Sequence, residues 1–331
     1  MSNDQLTKAQ LKDAVQRIVL AQGNVFIREL LREHKIKLGL TKKDFQKNID
    51  DAIDNGTFTQ AMIEAWLVEV EGWGNQHVYM YEPPPLKAAD ARPLIEKSKF
   101  KSVIDKPVSY DFPATLSLTS IAVTAAGLSI VWHQSTTGWR RDEAKDYQDT
   151  VDGENYEFRA YRERFDRAVV RFEWRFADDY CAILLQLPHE SGVHDVALAV
   201  VWADLASIGI APQPLTKLAL SKSFAKLSRD PKVVTQNSKR SVAGAFIILG
   251  STMPSVGFNT VEPVRNVFKT VDDSKFKLAD GIFAFDEKQH AGLDKLIKLQ
   301  GYGEDSRLRI WVQCKRNEIF YLLRLVHDHS Q

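Results

Sequence analysis

The chain has 331 residues, of which 44% are hydrophobic, 10% aromatic and 26% charged. This composition excludes the intrinsically disordered class, whose chains have too few apolar residues to form a core. The 44 Lys and Arg residues nearly balance the 43 Asp and Glu residues. The protein therefore has no large net positive charge that would attract it as a whole to nucleic acid or to an anionic membrane. Any basic surface must therefore be local.

The cysteine content and the hydropathy pattern indicate the cellular setting. Cys181 and Cys314 are too few for a disulfide framework or a zinc ribbon. The first twenty residues have no signal-peptide pattern, and no apolar run approaches the roughly 18 residues of a membrane span. We therefore expect a reducing cytoplasmic location, at the nucleoid or in a nucleus if the cell has one, and no membrane partner.

Residues 1–82 have the spacing of a small helical domain. Apolar residues recur at helical intervals in four segments that turn residues separate. Thr41 is a candidate N-cap for the third helix, and Asn55-Gly56 provides a left-handed stop for it. Thr57 or Thr59 can cap the fourth helix.

A strand and a proline run follow this helical unit. Residues 77–81 alternate in hydropathy as a strand does. Pro83-Pro84-Pro85 cannot continue a helix or an interior strand, so we predict a Pro-rich linker over 83–113 and a separate strand-rich domain over 114–331.

After residue 114 the hydropathy pattern indicates strands with helices between them. We predict a hairpin from 116–124 and 127–134, and an antiparallel meander from 156–164, 168–176 and 180–187. The later predictions are helices at 193–207, 214–228 and near 286–299, a strand at 242–249, and two last segments at 307–314 and 318–326. The predicted fold class is α+β, with a small N-terminal helical bundle followed by a mixed α/β domain whose sheet is mainly antiparallel.

Charge is concentrated most strongly between residues 213 and 240. Seven cations lie there against the single acid Asp230, and they are Lys217, Lys222, Lys226, Arg229, Lys232, Lys239 and Arg240. On a helix, Lys222, Lys226 and Arg229 fall on a different face from the apolar stripe. Such a cluster is typical either of a solvated face or of a surface that receives an anion, of which a nucleic-acid backbone is the commonest large example.

The N-terminal unit is also polarised. Lys42, Lys43 and Lys47 lie at the start of the third predicted helix, where many small helical domains meet a phosphate backbone. Residues 51–82 contain six acids and no Lys or Arg, which favours a protein partner for the fourth helix. Lysines on the exposed face of a helix are usually only solvated, so solvation is the alternative interpretation of this region.

Aromatic and basic residues are mixed between residues 139 and 175. Trp139, Arg140 and Arg141 lie in a predicted polar loop, where they could stack on bases and contact phosphates. The rest of this stretch has as many acids as bases, so we expect ion pairs across the solvated face of a sheet.

Common nucleotide-binding and hydrolase motifs are absent from the chain. One catalytic pattern remains, in which Gln313 and Lys315 follow Asp280 and Asp305. It resembles the second half of restriction-endonuclease-like nucleases, whose strand carries (E/Q)xK after an upstream Asp. A carboxylate would there hold Mg²⁺ while Lys315 polarises the water or phosphate. The same residues also fit an ordinary strand that ends in Lys-Arg.

The N-terminal order of elements resembles a known family. A Thr41-initiated helix, the Asn55-Gly56 turn, a Thr-capped helix and Gln76-His77-Val78-Tyr79-Met80 precede a strand-rich domain, as in the centromere protein N family. The resemblance implies a pyrin-like helical bundle joined to an antiparallel sheet domain. It also implies binding of nucleosomal DNA and partner proteins without catalysis.

The sequence therefore predicts a non-catalytic nucleic-acid-binding adaptor that has no cofactor and binds DNA rather than RNA through its basic surfaces. A protein partner is expected at the acidic helix. Two alternatives stay open: a Mg²⁺-dependent nuclease, and a protein-interaction subunit that does not bind nucleic acid.

Overall fold

The structure is a computed structural model that describes residues 5–330, except residues 107, 188–191, 243, 254–255, 265, 267–276 and 304, and except the side chains of residues 140, 164 and 165. The described helices are α1 Lys8–Ala14, continued by a π-helix over Val15–Val19, α2 Asn24–Glu33, α3 Lys42–Asp54, α4 Gln60–Val70, α5 Ala88–Lys97, α6 Val193–Ile208, α7 Ser221–Leu227 and α8 Arg316–Asp328. The described strands are β1 Gly74–Tyr81, β2 Ser117–Val123, β3 Gly127–Arg141, β4 Tyr147–Val151, β5 Glu154–Phe158, β6 Tyr161–Arg175, β7 Cys181–Leu185, β8 Val233–Val242, β9 Ala245–Gly250, β10 Lys277–Phe285, β11 Ile297–Tyr302 and β12 Arg307–Gln313.

The first four helices end where the sequence signals place their ends. Thr41 caps α3 through a capping box with Asp44, and α3 ends before Asn55 and a left-handed Gly56. Thr59, and not Thr57, caps α4, because its side chain accepts a hydrogen bond from the Met62 backbone. The apolar stripes of these helices pack on one another and form a core of their own.

Ten strands form one antiparallel sheet in the order β2-β3-β6-β7-β1-β12-β11-β10-β8-β9. Strands β4 and β5 form a separate two-stranded hairpin between β3 and β6. The predicted α+β class with a mainly antiparallel sheet is therefore confirmed.

Strand β1 lies in the middle of this sheet. Val78 is paired with Leu184 of β7 on one side and with Leu308 of β12 on the other. The predicted boundary after residue 82 thus falls between β1 and most of the sheet to which β1 belongs. The predicted linker over 83–113 contains α5, whose Ala91 and Ile95 are buried against the sheet.

The two faces of the sheet have different covers. Alternate β1 residues such as Val78 and Met80 join α7 and α8 in one core, and we call this side the α8 face. Tyr79 and Tyr81 point the other way and join α5 and α6 in a second core, on the side that we call the α6 face.

Several elements differ from the predicted ones because strands pair with distant parts of the chain. Residues 156–164 and 168–176 are not consecutive strands of a meander, because β6 is a single strand over Tyr161–Arg175 that pairs with β3 along its length. The predicted helix at 214–228 is only α7, since the segment before it extends beside β1 through a Tyr81–Lys217 bridge. No helix forms near 286–299: residues 286–296 are irregular and β11 follows. The strand predicted at 242–249 is in fact the β8–β9 hairpin.

Buried polar contacts join the helical bundle to the sheet. Arg167 of β6 lies 2.6 Å from the Glu71 carboxylate, and Arg171 donates to the Glu71 carbonyl at 2.8 Å. On β12, Gln313 accepts from the Gly23 backbone at 2.8 Å and donates to Gln22 at 2.7 Å. These contacts place the end of α4 over the α8 face.

Candidate functional site

Helix α7 presents cations on its outer side because its apolar side chains point into the sheet. Phe224 and Leu227 are fully buried, and the Phe224 ring stacks near Phe283 of β10. The other side of the helix and the turn after it expose four cations. We call these residues the α7 cationic surface: Lys222, Lys226, Arg229 and Lys232.

The other three cations of the 213–240 cluster lie elsewhere. Arg240 is 1% exposed and donates to the Ser228 hydroxyl at 2.8 Å. Burial, with a smaller effect of Arg229, lowers its pKa to about 10. Arg240 is therefore part of the packing beneath α7 and not of its outer surface.

Lys217 and Lys239 lie on the α6 face. Lys217 Nζ is 5.0 Å from the centre of the Tyr79 ring. Lys239 ends a row of directly paired residues that starts at Tyr79 and runs through β12, β11 and β10, and paired residues of this kind share a face. The structure therefore divides the cluster between the two sides of the sheet.

The N-terminal candidates have different roles. Lys42 donates to the carbonyls of Leu20 and Gln22, so it satisfies the end of the π-helix. Lys43 and Lys47 are exposed on α3. Of the three predicted contact residues on α3, these two remain available as a basic surface.

Several acids of residues 51–82 make contacts within the protein. Asp54 pairs with Lys12 at 2.7 Å, Glu64 accepts from Gln60, and Glu71 is buried against Arg167. The predicted partner surface on α4 stays a prediction, and these contacts reduce the acidic groups that it can offer.

The prediction of a loop at Trp139 is wrong, because this residue lies on strand β3 and pairs with Glu163 of β6 in a long hairpin. Trp139 is 73% exposed, and Arg141 pairs with Asp146 at 2.7 Å. The side chain of Arg140 lies outside the described residues. Residues 142–158 contain seven acids and one base, and a polyanion would meet this negative charge beside Trp139.

The structure does not bring the candidate nuclease residues together. Asp280 accepts from Gln300, and Asp305 pairs with Arg307 at the start of β12. Gln313 is six residues further along this strand, which corresponds to roughly 20 Å. Lys315 is the N-cap of α8 and pairs with Asp294 at 3.0 Å and Glu29 at 3.2 Å.

The described part of the chain also gives no support for a metal site, a membrane span or a reactive thiol. Within it, no three His, Cys, Asp or Glu side chains are grouped as a metal site would require, and no helix combines the length and apolar character needed to cross a bilayer. Burial raises the pKa of the Cys181 thiol, and it raises that of Cys314 to about 12, so both thiols are neutral near pH 7 and poor nucleophiles.

A cleft beside α8 was not anticipated from the sequence. The alternation of Arg171, Glu173 and Arg175 predicted ion pairs on a solvated face, yet Arg171 is 6% and Glu173 4% exposed. The α8 helix and the end of α4 cover this part of β6 and leave a cleft between them. The available signal was the pair Arg316 and Arg324, eight residues apart and therefore on nearby faces of a helix.

Comparisons with known proteins leave the family open. No protein-family model matches the sequence, and no curated protein shows significant sequence similarity to it.

Proposed function

We propose that this protein is a non-catalytic adaptor that binds nucleic acid, DNA in preference to RNA, through the α7 cationic surface. It would act in the cytoplasm, at the nucleoid or in a nucleus. Lys43 and Lys47 of α3 would provide a second, weaker contact. The proposal also draws on the resemblance of the N-terminal elements to the centromere protein N family.

The observation that carries the proposal is the exposure of four cations within eleven consecutive residues, Lys222 to Lys232. The one acid in this segment, Asp230, lies 3.3 Å from His329. The surface rests on a well-packed base, because Phe224 and Leu227 anchor α7 in the core. Contacts of this kind go to phosphates and carry no base sequence, so we expect affinity without sequence preference.

The test is a triple variant, Lys222→Ala with Lys226→Ala and Arg229→Ala. Binding to two unrelated 30-base-pair duplexes, and to RNA of the same sequence, is measured by fluorescence anisotropy at several salt concentrations. We expect weaker binding to both duplexes alike. The slope of log affinity against log salt should fall by about 0.9 for each lost phosphate contact, or about 2.7 for three.

The matched control is Lys217→Ala with Lys239→Ala, which removes two cations of the same sequence cluster from the α6 face. This control should bind DNA as the unchanged protein does. If the triple variant keeps both the affinity and the salt slope while its melting temperature is unaltered, the proposal is wrong.

A further inference from the structure

A cleft of about 710 Å³ lies on the α8 face, beyond the α7 cationic surface and sharing no residue with it. Its floor consists of two rows of residues across β2, β3 and β6. One row is Ser120, Val131 and Arg171, and the other is Ala122, Ser129 and Glu173. The side chains from β2 and the Ser129 side chain are small, so the sheet surface is recessed there. The volume is within the range of small-molecule sites.

Aromatic side chains form the walls. Trp73 follows α4, and Phe320 and Tyr321 belong to α8. The Trp73 and Phe320 rings are tilted by 59° with their centres 5.6 Å apart. Because Trp73 is only 1% exposed, Phe320 and the half-buried Tyr321 provide the apolar surface against which a planar or aliphatic group can pack.

Arginines dominate the charge of the cleft. Four arginines line it against two glutamates. Arg316 lies over the rings of Trp73 and Phe320, at 6.0 and 5.5 Å. Neither Arg316 nor Arg324 forms an ion pair with any acid in the described ranges, although the Arg316 charge lies close enough to Glu173 to lower the pKa of that carboxyl group.

The buried Arg171 has unused hydrogen-bonding capacity. Its Nη2 donates to the Glu71 carbonyl at 2.8 Å and its Nη1 lies 3.8 Å from Glu173, but its Nε has no hydrogen-bond partner among the residues described. A buried polar atom without a partner is costly. The Nε atom is itself buried beside Gly72, so a ligand anion would meet Arg316 and Arg324 rather than this atom.

Glu173 opposes an anion less than its formal charge implies. Burial raises the pKa of its carboxyl group, against smaller lowering effects of Arg171, Arg316 and the Ser129 hydrogen bond. The Ser129 hydroxyl donates to this carboxyl at 2.5 Å. A ligand anion near Arg171 would raise the pKa further, so that Glu173 can take up a proton as the anion binds.

We propose that this cleft binds a small organic anion whose carboxylate, sulfonate or phosphate pairs with Arg316 and Arg324 and whose aromatic or aliphatic body packs on Phe320 and Tyr321. The site goes beyond the proposed nucleic-acid binding, because a cleft of this volume takes a ligand the size of a nucleotide or a fatty acid and not a duplex.

The test uses anilinonaphthalene sulfonate, a fluorescent aromatic sulfonate, titrated into the full chain. We expect saturable binding with one site. Arg316→Gln with Arg324→Gln should weaken that binding at least about tenfold, because two charge-assisted contacts are lost. The control Arg159→Gln with Arg162→Gln removes two exposed arginines at the far end of the β3–β6 hairpin and should leave the affinity unchanged.

Competition then identifies the natural head group. Dodecanoate, a nucleoside monophosphate and inorganic phosphate are added separately to the dye complex. Displacement by the first two but not by inorganic phosphate supports the need for an apolar body. Displacement by none of them, or equal dye affinity of the Arg316/Arg324 double variant and the unchanged protein, overturns the proposal.

A second variant protects this test against misfolding. Ala122→Leu fills the floor of the cleft on the half-buried edge strand β2 without removing a charge, and it should also weaken dye binding. DNA binding of both cleft variants should equal that of the unchanged protein. Failure of the cleft proposal is thus separable from failure of the nucleic-acid proposal.

Discussion

His133 is a buried histidine on β3 that makes the stability of the protein depend on pH. Its Nδ1 lies 2.6 Å from the Thr119 hydroxyl, while its Nε2 has no hydrogen-bond partner among the described residues. Burial lowers its pKa well below the usual 6.5, and the charges of Arg167 and Arg171 lower it further. The native state therefore holds this imidazole neutral.

The free energy of unfolding should consequently fall as the pH is lowered below 6.5. In that range the unfolded chain takes up a proton on His133 and the native protein does not, so the unfolded state binds more protons. His133 contributes up to about 1.4 kcal/mol per pH unit to this slope. Urea unfolding at several pH values should show a shallower dependence in His133→Gln. Equal slopes in the two proteins would contradict the expectation.

At the scale of the elements, the close pairing of β1 with β12 depends on Gly74. Its φ is +78°, and a Cβ built on it would lie 2.1 Å from the Val312 carbonyl oxygen. The strand register shifts just after this residue, between Gly74 and Gln76. A side chain here would therefore meet both backbone strain and a backbone clash.

Gly74→Ala should lower the free energy of unfolding by about 3 kcal/mol, which combines left-handed strain with an overpacked contact. Gly153→Ala is the matched control, because Gly153 has a φ of +84° and open space around its Cβ position. It should cost only about 1 kcal/mol. Chemical denaturation measures both, and similar losses in the two variants would show that the close approach to β12 has no energetic weight.

At the scale of the whole molecule, one buried ion pair connects the helical bundle to the sheet. The side chains of Glu71 and Arg167 are 7% and 3% exposed, and Arg167 also donates to the carbonyls of Ser109 and Asp111. Breaking such a pair leaves a charge buried without its counter-ion, which is far more costly than losing a surface pair.

Glu71→Gln should therefore lower the free energy of unfolding by about 3 kcal/mol, and it should increase proteolysis between the bundle and the sheet. Asp105→Asn breaks the exposed pair with Arg92 and serves as the comparison; its unfolding midpoint should hardly change. If Glu71→Gln is as stable as Asp105→Asn, the charge of this pair contributes nothing to holding the bundle on the sheet.

Local signals accounted for much of the architecture. The caps at Thr41 and Thr59 and the stop at Gly56 depend on interactions within a few residues. Such interactions can be inferred from sequence because the partner atoms are close along the chain. Segments whose state depends on distant partners were predicted less well. The residues before α7 contain no strand signal and become extended only because Lys217 bridges to β1.

The sequence by itself determined the α+β class, the helical start of the chain and the local excess of cations between residues 213 and 240. Only the tertiary structure decided that Arg240 is buried, that Lys217 and Lys239 lie on the opposite side of the sheet from α7, and that Arg171 lines a cleft with Arg316. The reason is that hydrogen bonds at helix ends and hydropathy periods are local. Which side chains share a surface depends instead on strand order and on which helix covers each face of the sheet.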